Sequence, residues 1–375
     1  MGEQGPSAGK ESERLALACW DYAWPLAREY RSLDRVLDET VARGFNALRL
    51  DPFPHLLAAP ARGVHMDRCE LDVPADPRRD LAASKATIRI RRNVRRLLQG
   101  AADRGLSLWL HSHFLPDSRA RRSFVRRPED FVDVWAQTLG LIREWDLLDR
   151  VVAVDFCHQF PQPPAAHGLI RRVFGRSPER PLPRHWSERQ ERSLEAYLVE
   201  VPRTLRALFP GVRFGVSCGA GQSEYLRQMD TGELDFLELA LWLDDDPRFR
   251  LASGERLPVP GRLGRMLAPP VRQLLMEATG EQWLRRLHDQ LNRRLAFARL
   301  RRMEPVLGDG YLQVSRPPSS LPRGWAAFIE STVDQALTAG VSVMTPTSLA
   351  RPQTPWLWRE QDWLEQLNRH IRAGG

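Results

Sequence analysis

The sequence predicts a single (β/α)₈ TIM barrel, and three observations predict it. Short apolar runs of strand type alternate with longer amphipathic helical patterns along the 375-residue chain, the sequence form of βα units around a parallel sheet. The strand runs are apolar at nearly every residue, as strands buried on both faces are. The helical runs stop at Gly44, Gly105, Pro210-Gly211 and Gly340, each just before the next strand, where a helix C-cap glycine belongs. Barrels of this class hold about 250 to over 400 residues in one domain, so the length fits.

Taken in order, the first strand is Leu15–Trp20, followed by a helix over Leu33–Ala42 with apolar residues at three- and four-residue spacing. The same pairing gives Ala47–Leu50 with Ile88–Ala102, Leu106–Leu110 with Phe131–Trp145, and Val151–Phe156 with Arg189–Leu208. The second half repeats it: Val212–Ser217 with Ser223–Met229, Phe236–Trp242 with Glu281–Arg302, Pro305–Gly308 with Trp325–Ala339, and Val341–Met344 with Trp363–Ile371. Three long insertions, Pro52–Ser84, His158–Glu188 and Asp244–Thr279, follow the second, fourth and sixth strands and are rich in Pro, Arg and Gly. Loops after strands build the C-terminal face where barrels bind ligands, so these segments are expected to carry short helices or a lid. No repeat or linker marks a second domain. Residues 15–375 are expected to form the barrel, and the polar residues 1–14 a disordered tail.

The net charge of +8 raises a polyanion partner, but all except Lys10 and Lys85 of the 55 basic residues are arginines, spread along the whole chain. The clusters at Arg89, Arg91-Arg92 and Arg95-Arg96, and at Arg119 and Arg121-Arg122, fall on or beside a predicted helix and read as a solvated face. No aromatic-interleaved module accompanies them, so no nucleic-acid partner is expected. The N-terminus lacks an apolar signal region and no long apolar run occurs, so the expectation is a cytoplasmic protein without membrane contact. Cys19, Cys69, Cys157 and Cys218 are far apart and fit reduced, buried thiols. Neither cofactor nor metal is implied, and nothing sets an oligomeric state.

Ligand-facing residues of a barrel sit at strand C-termini. The first strand ends Trp20-Asp21-Tyr22-Ala23-Trp24, placing a carboxylate and aromatic rings that could stack on sugars or simply pack. The second ends with Arg49, Asp51 and, beyond it, His55. An arginine inside a strand needs a carboxylate, here Asp51, Asp155 or Asp309, as a structural ion pair or as site preorganisation. The third carries His111 and His113, whose spacing could serve a metal. Matching Cys, Asp or Glu ligands are absent nearby, so hydrogen-bonding histidines are expected.

The runs Cys19-Trp20-Asp21-Tyr22-Ala23-Trp24, Leu48-Arg49-Leu50-Asp51-Pro52-Phe53-Pro54-His55 and Val154-Asp155-Phe156-Cys157-His158-Gln159-Phe160-Pro161 resemble the cellulase-like, sugar-binding barrel family. The likeness extends to Asp235-Phe236-Leu237-Glu238 with Trp242, Asp309-Gly310-Tyr311, Pro352-Gln353 and Trp358-Arg359-Glu360. It implies a relation to retaining glycosidases that carry catalytic glutamates on the fourth and seventh strands. This chain departs from that pattern. Gln159 stands at the acid/base position and Asp309 at the nucleophile position, Ala240 replaces a histidine beside the nucleophile, and the run Thr345–Gln353 differs. Gln cannot give a proton to a glycosidic oxygen, a step worth about 10² to 10⁴ in rate.

The resemblance therefore implies a barrel that takes an oligosaccharide or glycoside ligand, with retaining hydrolysis weak or lost. Trp20, Trp24, Trp242 and Trp358 would stack on sugars, while Asp21, Arg49, Asp51, His55, His111, His113, Asp155 and His158 would line the site beside Asp309, Gln159 and Glu238. A second reading is an active glycosidase with rearranged carboxylates, Asp309 as nucleophile and Glu238, Asp155 or one of Asp244–Asp246 as donor. Inverting chemistry, with carboxyl groups about 6.5–9.5 Å apart, is compatible with it. A third is a non-catalytic scaffold. A dinucleotide site at Gly219-Ala220-Gly221 lacks the third glycine of its fingerprint, Glu224 standing there.

Overall fold

The computed structural model describes residues 14–58, 67–73, 75, 83–162, 166–178, 180, 182–183, 185–219, 223–252, 262–311 and 323–375. Of the tail expected over residues 1–14, residues 1–13 lie outside them, as does most of Gly219-Ala220-Gly221. The elements are β1 (Leu15–Asp21), α1 (Leu33–Ala42), β2 (Ala47–Leu50), α2 (Pro54–Leu57), β3 (Cys69–Val73), β4 (Ser84–Ile88), α3 (Ile90–Ala102), β5 (Ser107–His111), α4 (Pro128–Glu144) and β6 (Val151–Asp155). The chain continues through α5 (His167–Phe174), α6 (Glu188–Leu208), β7 (Arg213–Cys218), α7 (Ser223–Leu226), β8 (Phe236–Trp242), α8 (Pro247–Ala252), α9 (Arg262–Leu300), β9 (Glu304–Tyr311), α10 (Arg323–Thr338), β10 (Val343–Met344), α11 (Pro355–Trp358) and α12 (Gln361–Ala373).

Eight parallel strands close in the order β1-β10-β9-β8-β7-β6-β5-β2, the barrel that the apolar runs predicted. The insertions hold more structure than their composition suggested. The first contains α2 and β3, and β3 pairs with β4 as an antiparallel ribbon outside the barrel. Consequently α3 begins at Ile90 rather than Ile88, because Ser84–Ile88 is paired as strand. In the third, α9 starts at Arg262, well before the expected Glu281, with non-helical backbone at Thr279 where two helices join. None of the described helices is long and apolar enough to cross a membrane. The four cysteines are free and buried.

Inside the barrel, alternation of side chains builds layers. Leu15, Leu17, Ala47, Trp109, Ala153, Phe236, Val306 and Val343 form a dry apolar plug, distinct from the larger core between sheet and helices. Above the plug the same strands turn polar: Cys19, Arg49 and Trp109 are register partners across β1, β2 and β5, and Ser217 lies opposite Glu238 on β7 and β8. Two glycines make room for the large groups facing inward. A Cβ on Gly215 would stand 2.4 Å from the Phe236 carbonyl oxygen, and one on Gly308 would stand 2.3 Å from Glu238 Cδ.

Gly308→Ala should therefore cost on the order of 3 kcal/mol, because methyl and carboxyl cannot share that space. Gly140→Ala, inside α4 with nothing within 4 Å of the added methyl, should instead stabilise by about 0.5–1 kcal/mol. Urea unfolding of both variants beside wild type measures the contrast; equal effects would contradict the packing described.

Candidate functional site

The polar layer is organised by Arg49, fully buried in the middle of the barrel. Its Nη2 donates to Glu238 Oε1 at 2.6 Å and its Nε donates to Glu238 Oε2 at 3.2 Å, a fork-on-carboxylate pair. Nη1 pairs with Asp21 Oδ1. Burial alone would lower the pKa of the guanidinium, but the carboxylates of Glu238 and Asp21 reverse this and hold it protonated. For Glu238, burial pushes the carboxyl up, and the Arg49 charge opposes that shift. Trp109 Nε1 donates to Glu238 Oε2 at 3.1 Å, so both oxygens of this glutamate are occupied just above the apolar plug.

The partners expected for Arg49 were Asp51, Asp155 or Asp309; those found are Glu238 and Asp21. β2 and β8 approach through the barrel interior, a juxtaposition that strand ends read one at a time do not contain. Asp21 is also flanked by the buried Arg351, whose Nη1 lies 3.8 Å from Asp21 Oδ2. Arg351 was passed over in the sequence; its place among Leu349, Ala350 and Pro352 was the available signal for a buried cation.

Three histidines gather over this ion pair. Ring centroids of His111 and His113 lie 4.8 Å apart, and those of His113 and His158 4.1 Å. His111 Nε2 is 3.2 Å from Asp21 Oδ1 without the alignment of a hydrogen bond. Burial, with Arg49 nearby, lowers its pKa to about 3, so the ring is neutral. His158 Nδ1 accepts from Arg49 Nη2 at 3.2 Å. Ser217 Oγ, which accepts the Gln159 backbone N–H at 2.6 Å, lies 3.0 Å from the same nitrogen and can donate its hydroxyl proton to it. With Nδ1 an acceptor, the ring proton of His158 is left on Nε2.

Among the described residues two groups of side chains are close enough to hold a metal, His111 with His113 and His158, and Asp155 with His158 and Glu238. In the second, Arg49 bonds both Glu238 and His158, so the guanidinium is already the cation of that group. In the first, Arg49 bonds His158 and disfavours a second positive charge beside it. The chemistry of the donor set does not favour a metal.

The remaining carboxyls are tied to backbone N–H groups or, for Asp309, to a hydroxyl. Asp51 accepts the N–H of Phe53 at 2.7 Å and of His113 at 2.8 Å, yet burial raises its pKa to about 7. Asp155 Oδ1 accepts from Cys157 and Ser217 N–H, each at 3.2 Å. Asp309 lies opposite Ala240 on β8, and its Oδ1 accepts the Ser348 hydroxyl at 2.6 Å. Asp21, Phe53, Phe114 and Gln159, all at or just beyond barrel-strand ends, have positive φ, a costly backbone for side chains of these types and one that clusters at functional sites.

The described residues now carry a fold, a polar barrel mouth and a set of carboxyls. A family described as sugar-binding cellulase-like matches residues 17–372. The chain belongs to that family. Its structure is similar to a candidate glycoside hydrolase from Parabacteroides distasonis, with TM-score 0.82, 22% identity, and 97% of this chain and 95% of that one covered. It also resembles an endo-1,4-β-D-mannanase from Thermotoga petrophila, with TM-score 0.52, 12% identity and coverage of 88% and 87%. An endocellulase from Pyrococcus horikoshii in complex with cellotetraose gives TM-score 0.53, 12% identity and coverage of 94% and 92%. At these identities the likeness is one of fold. No curated protein matches by sequence.

Within the family frame the tryptophans divide. Trp242 continues the inward alternation of Phe236, Glu238 and Ala240 to the C-terminal end of β8. Trp24 donates its Nε1 to the Asp51 carbonyl at 3.1 Å and walls the site from outside. Trp20 packs edge-on against Tyr30 in the outer core. Trp358 lies against α1 and the residues after it, bonded to Glu39 and stacked beneath Arg43, and is not brought to the mouth. His55 too stands aside, donating Nε2–H to the Leu115 carbonyl at 2.9 Å. An aromatic pair that strand ends could not reveal is Trp186 with Tyr225, stacked at 3.9 Å and 14° between the loops after β6 and β7, each half-buried. Their separation in sequence hid them.

His55 gives a pH test. Burial lowers its pKa to about 3, from about 6.5 in the unfolded chain, so unfolding takes up a proton between those values. Its contribution is fully present above pH 6.5 and is lost as pH falls. The stability advantage of wild type over His55→Gln should shrink by about 1.4 kcal/mol per pH unit below 6.5 in urea unfolding. A pH-independent difference would show that the ring is not held neutral.

Proposed function

We propose that this member of the family is a carbohydrate-binding barrel in which retaining hydrolysis is weak or lost. The observation that carries this reading is the capture of Glu238. Both its oxygens are engaged by Arg49 and Trp109, so the one glutamate among the candidate residues serves as a counter-ion below the mouth. Gln159 has no proton to transfer, and Asp21 and Asp155 are held by Arg49 and by backbone N–H groups. A retaining glycosidase needs an acid and a nucleophile about 5–5.5 Å apart, each free to change protonation or form a bond. Binding asks less: the half-buried, stacked Trp186–Tyr225 pair supplies aromatic faces, and the carboxyl and imidazole groups supply hydrogen bonds. Cellotetraose in the complex of the Pyrococcus horikoshii relative makes a β-linked oligosaccharide the first ligand to try.

One observation favours the active reading. Asp51 keeps its proton to about pH 7, the property of a general acid, and Asp309 would be the nucleophile.

Calorimetric titration with cellotetraose and mannotriose, together with an aryl-glycoside screen, separates the readings. Binding at about millimolar affinity or tighter with hydrolysis near background is expected. Trp186→Ala should weaken binding by about threefold to tenfold, the worth of one stacking contact, while Trp358→Ala should leave it unchanged. Gln159→Glu should raise hydrolysis if the rest of the site is competent. Turnover that disappears in Asp309→Ala and falls above about pH 7 would instead favour the active reading. If no saccharide binds wild type at millimolar concentration, the carbohydrate reading fails.

A further inference from the structure

A second concavity lies outside the barrel mouth, between the segment after β1 and one face of α3. Its volume is about 490 Å³, enough for a ligand of disaccharide or triphosphate size. Its walls carry Arg28 and Arg31 on one side and Arg89, Arg92 and Arg96 on the other, with no carboxylate among the lining residues. Arg92 and Arg96, four residues apart, share one face of α3 with Asn93, and Arg89 stands at the N-cap position just before it. The floor is stiff. Trp24 and Tyr30 are buried there, tied by hydrogen bonds to the Asp51 carbonyl and to Gln353.

This gathering differs from the general arginine richness of the chain. Several arginines elsewhere meet acids: Arg104 bonds Asp38 at 2.7 Å, Arg203 and Arg206 bond Glu233 at 3.0 Å, and Arg192 reaches Glu188 at 3.3 Å. Around the cavity only its margins are matched, Arg28 by Glu29 and Arg96 by Asp34. The side chains of Arg31, Arg89 and Arg92 have no hydrogen-bond or ion-pair partner among the described residues. Like charges at this helical spacing oppose helix formation by a few tenths of a kcal/mol per pair. A concave wall of one sign also focuses its potential on the space it encloses. Guanidinium forks match the oxygen geometry of phosphate and sulfate, and several converging forks favour a ligand with more than one such group over a single carboxylate.

We propose that this cavity binds a small polyanion bearing two or more phosphate or sulfate groups, held by Arg31, Arg89 and Arg92. The proposal does not depend on the carbohydrate reading of the barrel mouth.

Titration calorimetry at low ionic strength tests it, with inorganic tripolyphosphate in one arm and a multiply sulfated disaccharide in the other. The expected result is one site per chain for at least one probe, weakening steeply with added salt. The probe bound more tightly identifies which ester the cavity takes. Arg89→Ala/Arg92→Ala should weaken binding about tenfold or more, while Arg192→Ala/Arg285→Ala, two arginines on other helices, should not. All four positions are exposed, so both variants should unfold at the wild-type temperature. Arg89→Gln/Arg92→Gln replaces the alanine pair if it does not. The proposal is overturned if neither probe binds, if both double variants lose affinity equally, or if only an oligonucleotide binds.

Discussion

A guanidinium buried between two carboxylates governs the interior of this barrel. Desolvating each ion costs several kcal/mol, and the attraction recovers that cost only with close geometry and further hydrogen bonds. Arg49 meets these conditions with a forked contact to Glu238, a second pair to Asp21 and a bond to His158. The arrangement joins β1 and β2 to β8 across the barrel and divides the interior into a dry plug below and a polar mouth above. Removing the cation would strand two buried carboxylates, whereas removing the whole group would cost much less, so geometry is its main contribution.

Charge balance at the mouth follows from this pair. Asp21, Asp51, Asp155, Glu238 and Asp309 are all buried, and the guanidiniums paired with them among the described residues are those of Arg49 and Arg351, both at Asp21 and the first also at Glu238. Ionising all of these carboxyls in so little water would be prohibitive, and burial holds Asp51 protonated up to about pH 7. His111 does not supply the missing positive charge, because burial holds its ring neutral. The carboxylates that secure Arg49 are committed as its counter-ions.

Arginine thus has two roles in this protein, set by surroundings rather than by number. Inside the barrel it is matched by carboxylates and fixes their positions. Around the cavity beside α3 the side chains of Arg31, Arg89 and Arg92 have no acid partner among the described residues, and water and counter-ions screen them. Composition reports the same residue type for both, which is why the surplus of basic residues carried little information until the fold separated the two populations.

The barrel was legible in the sequence because its cause is local. Strands buried on both faces must be apolar throughout, and helix stops must supply left-handed caps, so strands such as Ala47–Leu50 and caps such as Gly44 could be read from neighbouring residues. The ribbon of β3 and β4 was less legible, because its pairing joins segments separated by an insertion. At the site, residue types at strand ends marked Asp21, Arg49, Asp51, His111, His113 and Asp155 as a group. Tertiary structure alone decided that Arg49 pairs with Glu238, that His158 carries its proton on Nε2, that Trp358 faces α1, and that Trp186 stacks on Tyr225. A sequence determines which groups must find partners, since burial makes an unpaired charge too costly. Which partner each one finds depends on distances across the barrel that strand register and closure set.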